Sequence, residues 1–482
     1  MNELDTKQPL DFKTKWSYCI GATGRDMAYT LVNMYLLTYI QYTMKLTAAQ
    51  FAVISLSMFL CLVWDAINDL IMGIIIENSH LPHGKFRPWI FIGSIVNAIV
   101  IVLLFTVRPS GWLFVAFFAI GYLCWGMSYT MNDIAYWGML PSLSSDPSTR
   151  NSLVTFMSIF ICIGQFSVAG VLPLVVAGNA IVAYRTAALI IALCFIAFQQ
   201  LTFWGVTERP RKDAADKLKL SDIYRIFRRN DQLVTAGASS LLFNIGNGLL
   251  IVFAMNFFYF EFGYQSAGGY ILLFTIMYGL GTLVSQSVFA FISKRFTRFQ
   301  LLRYCTVIII CCYIAFASFG YLLPKNIILL NSIGFLIFFH QGLMNLIIIV
   351  MINNTIEYDE FRFHERHDSV ISAVRSFSVK LAGGLNQGIA ACVLIISGIF
   401  SISQKITKLE ISAGTGKLSA NQVLVKASTY TANVEPIQTF VLRMGMVSIP
   451  ILAISCSYFL LKKKYKITEN EYQRMVENIH LS

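Results

Sequence analysis

The residues with chemistry to offer are ionisable groups set inside apolar runs: Arg25 and Asp26, Asp65 and Asp69, Asp133, and Arg375 with Lys380. Each costs roughly 2.5–3.5 kcal/mol on insertion scales, so such groups face a cavity or a partner rather than hydrocarbon. Asp65 and Asp69 are four apart and share one face of a helix. Two carboxylates held that close repel in low dielectric. Both ionise only beside a cation; otherwise one keeps a proton. The competing reading pairs them with fixed lysine or arginine groups in a purely structural role. Asp26, Asp65, Asp69 and Asp133 oppose Arg25, Arg375 and Lys380, a balance short of one positive charge and with room for one Na⁺, Li⁺ or H⁺. Arg303 and Arg443, near span ends, can alter that sum.

Around Asp133 the segment reads WGMSYTMNDIAYWGMLP, interleaving rings with a carboxylate. Tyr129, Asp133 and Trp137 stand at i, i+4 and i+8, on one helical stripe. A carboxylate accepts pairs of hydroxyl hydrogen bonds, and an aromatic face packs on the apolar C–H face of a sugar ring. A sugar site and an aromatic core stripe with a paired Asp133 stand level on spacing alone. Thr130 offers a hydroxyl oxygen suited to a hard cation.

These residues must be held by membrane-spanning helices. Of 482 residues, 56% are hydrophobic and only 13% charged, about half the charge of a soluble domain. At about 20 residues per span, the apolar content suffices for about twelve. The runs fall near 17–44, 48–76, 88–107, 112–140, 153–177, 181–206, 232–260, 268–293, 301–323, 326–353, 370–400 and 436–461. They are helices because lipid offers no water to unpaired backbone groups. The expected fold class is an all-α membrane protein. A six-helix half at 1–206 and another at 232–461 flank a basic linker at 207–231, with a tail at 462–482. Such a layout suits parallel-repeat transporters.

The net charge of +12 then reflects basic loops facing the cytoplasm, not nucleic-acid binding. Lys13, Lys15, Lys85, Arg87, eight basic residues of the linker and Lys462, Lys463, Lys464 and Lys466 fall on one side. Lys45, Arg108, Arg185 and Lys325 fall on the other, with a longer outside loop at 401–434. Both termini are expected in the cytoplasm. The ten cysteines read as small packing residues, not disulfides or metal ligands. Gly21, Gly24, Gly383 and Gly384 read as sites of close helix approach. No Walker-type loop, nucleophile–base set or metal-ligand cluster stands in the spans, so neither ATP-driven transport nor an enzyme is expected.

Three segments carry a resemblance: WDAINDLIMGIII…HGKFRPWIFIG, YTMNDIAYWGMLPSLSSDPSTRNSL and IEYDEF…ISAVRSFSVKLAGG. In register from about residue 15 to 400, the chain resembles the glycoside–pentoside–hexuronide:cation symporters. The resemblance implies a major-facilitator fold of twelve helices in two pseudo-symmetric halves, in the cytoplasmic membrane. It implies a sugar driven inward by Na⁺, H⁺ or Li⁺. It places the cation on Asp65 and Asp69 with Thr130, and Lys380 beside that site. It places the sugar on Arg25, Asp26, Tyr129, Asp133 and Trp137. The chain departs from the melibiose type at Arg25, where a lysine is usual, at Ser158, where span five carries an arginine, and at Leu70, where a proline follows the second aspartate. Arg375 is an added cation in span eleven, suited to an anionic sugar such as a uronide or to replacing the lost arginine. The expected activity is sugar:cation symport, with Na⁺ as the first choice of ion. A carrier of another amphipathic solute, such as a lysolipid, would need a more apolar cavity. The loop HGKFRP with Glu77 is a candidate cytoplasmic latch; topology-setting charge accounts for it equally well.

Overall fold

The computed structural model describes residues 11–79, 81–144, 147–208, 228–364 and 368–481. Among the described residues the first six long helices are α1 (Phe12–Thr43), α2 (Ala48–Glu77), α3 (Arg87–Thr106), α4 (Trp112–Leu143), α5 (Pro147–Val176) and α6 (Ala180–Gly205). Next come α7 (Asp231–Phe262), α8 (Ala267–Ile292), α9 (Arg298–Ser318), α10 (Ile327–Phe363) and α11 (Asp368–Ile396). Two shorter helices follow, α12 (Ile399–Gly414) and α13 (Ala420–Ala432), then α14 (Pro436–Lys464) and the terminal α15 (Glu469–Leu481). Eleven of these are long and apolar enough to cross a membrane. The first, α1, is long enough but more polar: it buries Thr30, Thr38 and Gln41 beside Arg25 and Asp26. Most of the 207–231 linker, with its basic residues, lies outside the described residues, as do His80 and His367.

Polarity sorts the faces of α2. Leu60, Trp64, Ile67, Ile71, Ile74 and Ile75 are exposed, while Asp65, Asn68, Met72 and Ile76 are buried. An exposed apolar face this continuous belongs against hydrocarbon, and the carboxylate face points into protein. The helix starts at a capping box in which the Thr47 hydroxyl and the Gln50 amide satisfy each other's backbone N–H.

The described residues form two compact units, one drawing on Met1–Ala214, Phe258–Leu272 and Gly398–Val434, the other on Ala215–Phe257, Leu273–Ser397 and Glu435–Ser482. In the first unit α1 packs against α5 and α6, α3 against α4 and α6, and α2 against α4. Close α1–α6 approach requires small residues. A Cβ on Gly24 would stand 2.9 Å from the Cys194 carbonyl oxygen, and one on Gly21 would overlap the Thr202 hydroxyl. Gly383 is different: its surroundings are open, so close approach does not account for it. In the second unit α9 packs on α10 and α14, α11 on α10 and α14, and α15 on α10.

Several boundaries differ from expectation. Span eleven stops at Ile396 rather than 400, because Gly398 takes a left-handed φ of 75°. The expected outside loop 401–434 is a helical hairpin, α12 and α13. Its pattern is amphipathic: Phe400, Ile402, Ser403, Ile406, Thr407 and Glu410 are buried on one face. Charged residues on the other face lower its mean hydropathy and conceal it in an apolarity scan. The hairpin belongs to the first unit. The Thr407 hydroxyl and the Gln404 amide donate to the Gln41 carbonyl at 2.9 and 3.1 Å, and Phe400 stacks on Phe51 at 4.5 Å. Span ten runs to Phe363 rather than 353, its polar end anchored by Asp359 on Arg229 at 3.1 Å.

All ten cysteines are free. Core packing describes Cys19, Cys305 and Cys312, but Cys124, Cys311, Cys392 and Cys456 are exposed on helix surfaces.

Candidate functional site

Helix α4 carries two polar clusters of the first unit. The upper cluster centres on Arg25 of α1, which is 3% exposed. Its Nη2 and Nε donate to Asp26 Oδ2 at 2.7 and 3.1 Å, and its Nη1 lies 3.1 Å from Asp133 Oδ1. The guanidinium sits over the rings of Tyr136 and Trp137, at 4.8 and 5.3 Å. One guanidinium therefore joins carboxylates from α1 and α4 and is sandwiched against aromatic faces, a geometry that arginine's planar fork permits and lysine's point charge does not. Gln165 of α5 donates to the other Asp26 oxygen at 3.1 Å. The Asp133 side chain and Trp137 remain 32% and 39% exposed.

Tyr129 extends the aromatic wall, stacked on Trp125 at 5.6 Å and set 5.4 Å from Tyr29. Sugar rings bind such faces through their C–H groups while hydroxyls find carboxylate, guanidinium and amide partners.

The second cluster lies within a turn on the same helix. The Thr130 hydroxyl is 2.8 Å from Asp65 Oδ1 and 3.0 Å from Asp69 Oδ1. A hydroxyl has one hydrogen, so it cannot satisfy both carboxylates at once. Three oxygens converge with two formal negative charges and one shared proton, a donor set that suits a small hard cation or a further proton. Arg25 pairs with Asp26 and Asp133 at 2.7 and 3.1 Å, whereas Asp65 and Asp69 share the Thr130 hydroxyl. Asp65 is 8% exposed, so the pair is not turned toward lipid.

Arg375 and Lys380 belong to the second unit, both on α11; Arg375 is exposed and Lys380 partly buried. The Ser158 hydroxyl turns back to the Val154 carbonyl of its own helix at 2.8 Å.

Sequence reasoning missed several groups. Gln165 is one. Asn132 donates to the Ile90 carbonyl and to Gln199 at 3.1 and 3.2 Å, and Gln199 donates to the Gly21 carbonyl at 2.8 Å. This brace fixes α4 to α3, α6 and α1. Neutral amides in apolar runs carry the signal, weaker than a charge but read the same way. Glu208 is another. Its carboxylate accepts the backbone N–H groups of Lys85, Phe86 and Arg87 at 2.8, 3.0 and 2.7 Å. The HGKFRP loop is thus pinned by Glu208, while the Glu77 side chain lies outside the described residues. Glu410 of α12 is a further one, accepting Gly178 N–H, Ala180 N–H and the Tyr264 hydroxyl at 2.8, 2.7 and 2.8 Å.

These helices define a multi-pass membrane protein. A family model described as MFS/sugar transport protein matches residues 17–469, and the chain belongs to that family. It is 25% identical over 409 residues to the raffinose carrier protein of Pediococcus pentosaceus, covering 79% of this chain but 62% of the carrier's length. It is 22% identical to a putative glycoside/cation symporter of Escherichia coli K12, over 83% of this chain and 86% of that one. Among solved structures, a bacterial homologue of the human lysosomal transporter Spinster superposes with a TM-score of 0.65 at 13% identity, over 95% of this chain and 98% of that one. This last likeness is one of fold, the major-facilitator fold.

Proposed function

We propose that this protein is a secondary active symporter of the cytoplasmic membrane, taking up a glycoside or hexuronide with a monovalent cation, Na⁺ first. The observation that carries the reading is the pair of clusters on α4: a carboxylate–guanidinium–aromatic set around Asp133 and an oxygen set around Thr130, on one helix and three residues apart. A cation at Asp65, Asp69 and Thr130 changes the field at Asp133 directly, so either ligand improves binding of the other, by typically 1–3 kcal/mol. Arg25, Asp26, Tyr129, Asp133 and Trp137 bind the sugar. Arg375 adds a positive charge for an anionic sugar, and Lys380 neighbours the cation. Residues 1–206 and 232–461 act as the alternating halves, joined by 207–231, with both termini and the 462–482 tail in the cytoplasm. The relatives named above, a raffinose carrier and a putative glycoside/cation symporter, support the substrate class.

The test is uptake of labelled galactosides and a labelled uronide into proteoliposomes under an inward Na⁺, H⁺ or Li⁺ gradient. Accumulation above equilibrium with Na⁺ supports the reading, and accumulation with H⁺ alone reassigns the ion. No accumulation of any of these sugars under any gradient refutes it.

A further inference from the structure

The second unit holds a cavity of about 470 Å³ walled by Phe289, Leu301, Ile347 and Val350 and rimmed by Lys294, Arg295 and Arg298. None of its lining residues is among those assigned to sugar or cation. The wall is apolar, the rim is triply basic, and Phe291, Phe296 and Tyr304 nearby are exposed aromatics. Arg295 lies over the Phe291 ring at 4.5 Å. Aromatic side chains with basic residues at the end of an apolar helix mark the level of lipid headgroups.

One corner already holds an anion. The Glu469 carboxylate, from the first turn of α15, accepts the Arg298 backbone N–H at 2.7 Å and lies 3.8 Å from its guanidinium. Lys294 and Arg295 line the same cavity and are exposed. The site thus takes one carboxylate and still presents two cations over an apolar wall. An anionic phospholipid has the matching form: a phosphate diester with acyl chains leaving on one side.

We propose that this cavity binds the headgroup of an anionic phospholipid of the inner leaflet, with Lys294 and Arg295 on the phosphate and Glu469 competing with it for Arg298. The inner-leaflet assignment rests on the orientation proposed above; the binding itself does not. Each basic residue at such a surface is worth about fivefold in affinity.

The experiment uses the full-length protein in nanodiscs and in detergent, open on both faces, so neither transport nor orientation enters the readout. Native mass spectrometry and a fluorescent phosphatidylglycerol measure binding against phosphatidylcholine. Phosphatidylglycerol is expected to bind preferentially. The double substitution Lys294→Gln with Arg295→Gln is expected to weaken it tenfold or more, by about fivefold for each charge, while Lys294→Arg with Arg295→Lys retains it. Glu469→Gln is expected to tighten it severalfold. Equal binding of the two lipids, no loss in the double variant, or no gain in Glu469→Gln overturns the proposal. Full displacement of the lipid by inorganic phosphate also overturns it, by reassigning the site to a free anion.

Discussion

Replacing Thr130 by valine removes one oxygen and keeps the shape of the side chain. That oxygen stands 2.8 and 3.0 Å from Asp65 and Asp69. Without it a cation loses one of three converging ligands, and the two carboxylates lose the hydrogen they share. A hydrogen bond to a charged group contributes about 1.5–3 kcal/mol. At 1.4 kcal/mol per factor of ten, the half-saturating Na⁺ concentration for sugar uptake should rise by about tenfold or more. Thr130→Ser keeps the oxygen and should stay within about threefold, the cost of a mobile hydroxyl against a β-branched one. The assay is initial-rate sugar uptake in proteoliposomes against Na⁺ concentration at fixed sugar. An unchanged half-saturating Na⁺ in the valine variant refutes the reasoning, because the hydroxyl would then be a spectator.

Arg25→Gln strands Asp26 and Asp133. Breaking a buried pair costs about 3–5 kcal/mol, reduced because the Asp133 side chain is one-third exposed; a lower melting temperature and loss of sugar binding are expected, with Arg25→Lys intermediate. Asp133→Asn should abolish sugar binding by calorimetry while leaving the fold intact by circular dichroism. Burial raises the Glu410 carboxyl above its ordinary range despite the Ala180, Tyr264 and Gly178 bonds; the tyrosines facing it are Tyr264, Tyr259 and Tyr184. A carboxyl raised in the folded state stabilises that state fully below its ordinary pKa and loses the contribution as pH rises through the raised one. Docking of the α12–α13 hairpin should therefore weaken as pH rises above the ordinary carboxylate range, read as a falling melting temperature that Glu410→Gln flattens.

Helices and their inward faces were legible because charge is so costly in lipid that Arg25, Asp65 and Asp133 mark the protein interior by themselves. The i, i+4 spacing of Asp65 and Asp69 already fixed a shared face, and Thr130 closes on it from a neighbouring helix. The pooled charge count was less informative than geometry, since Arg25 is committed to Asp26 and Asp133. Glu208 and Glu410 were illegible for a different reason. Their partners are backbone N–H groups, which no side-chain pattern announces, and those of Glu410 lie some 230 residues away in the chain. The α12–α13 hairpin hid behind its exposed lysines, although Phe400, Ser403, Thr407 and Glu410 recur at i, i+3, i+7 and i+10. Gln165 and Gln199 fell below notice because a neutral amide stands out less than a charge.

The most direct measurement compares Asp65→Asn and Asp69→Asn with the unaltered protein in two assays: Na⁺-gradient-driven sugar accumulation and sugar exchange at equal concentration on both sides. Loss of gradient-driven accumulation in both variants, with sugar binding or exchange retained in at least one, is the predicted outcome. Undiminished, Na⁺-dependent accumulation in both contradicts the assignment of the cation to these two carboxylates.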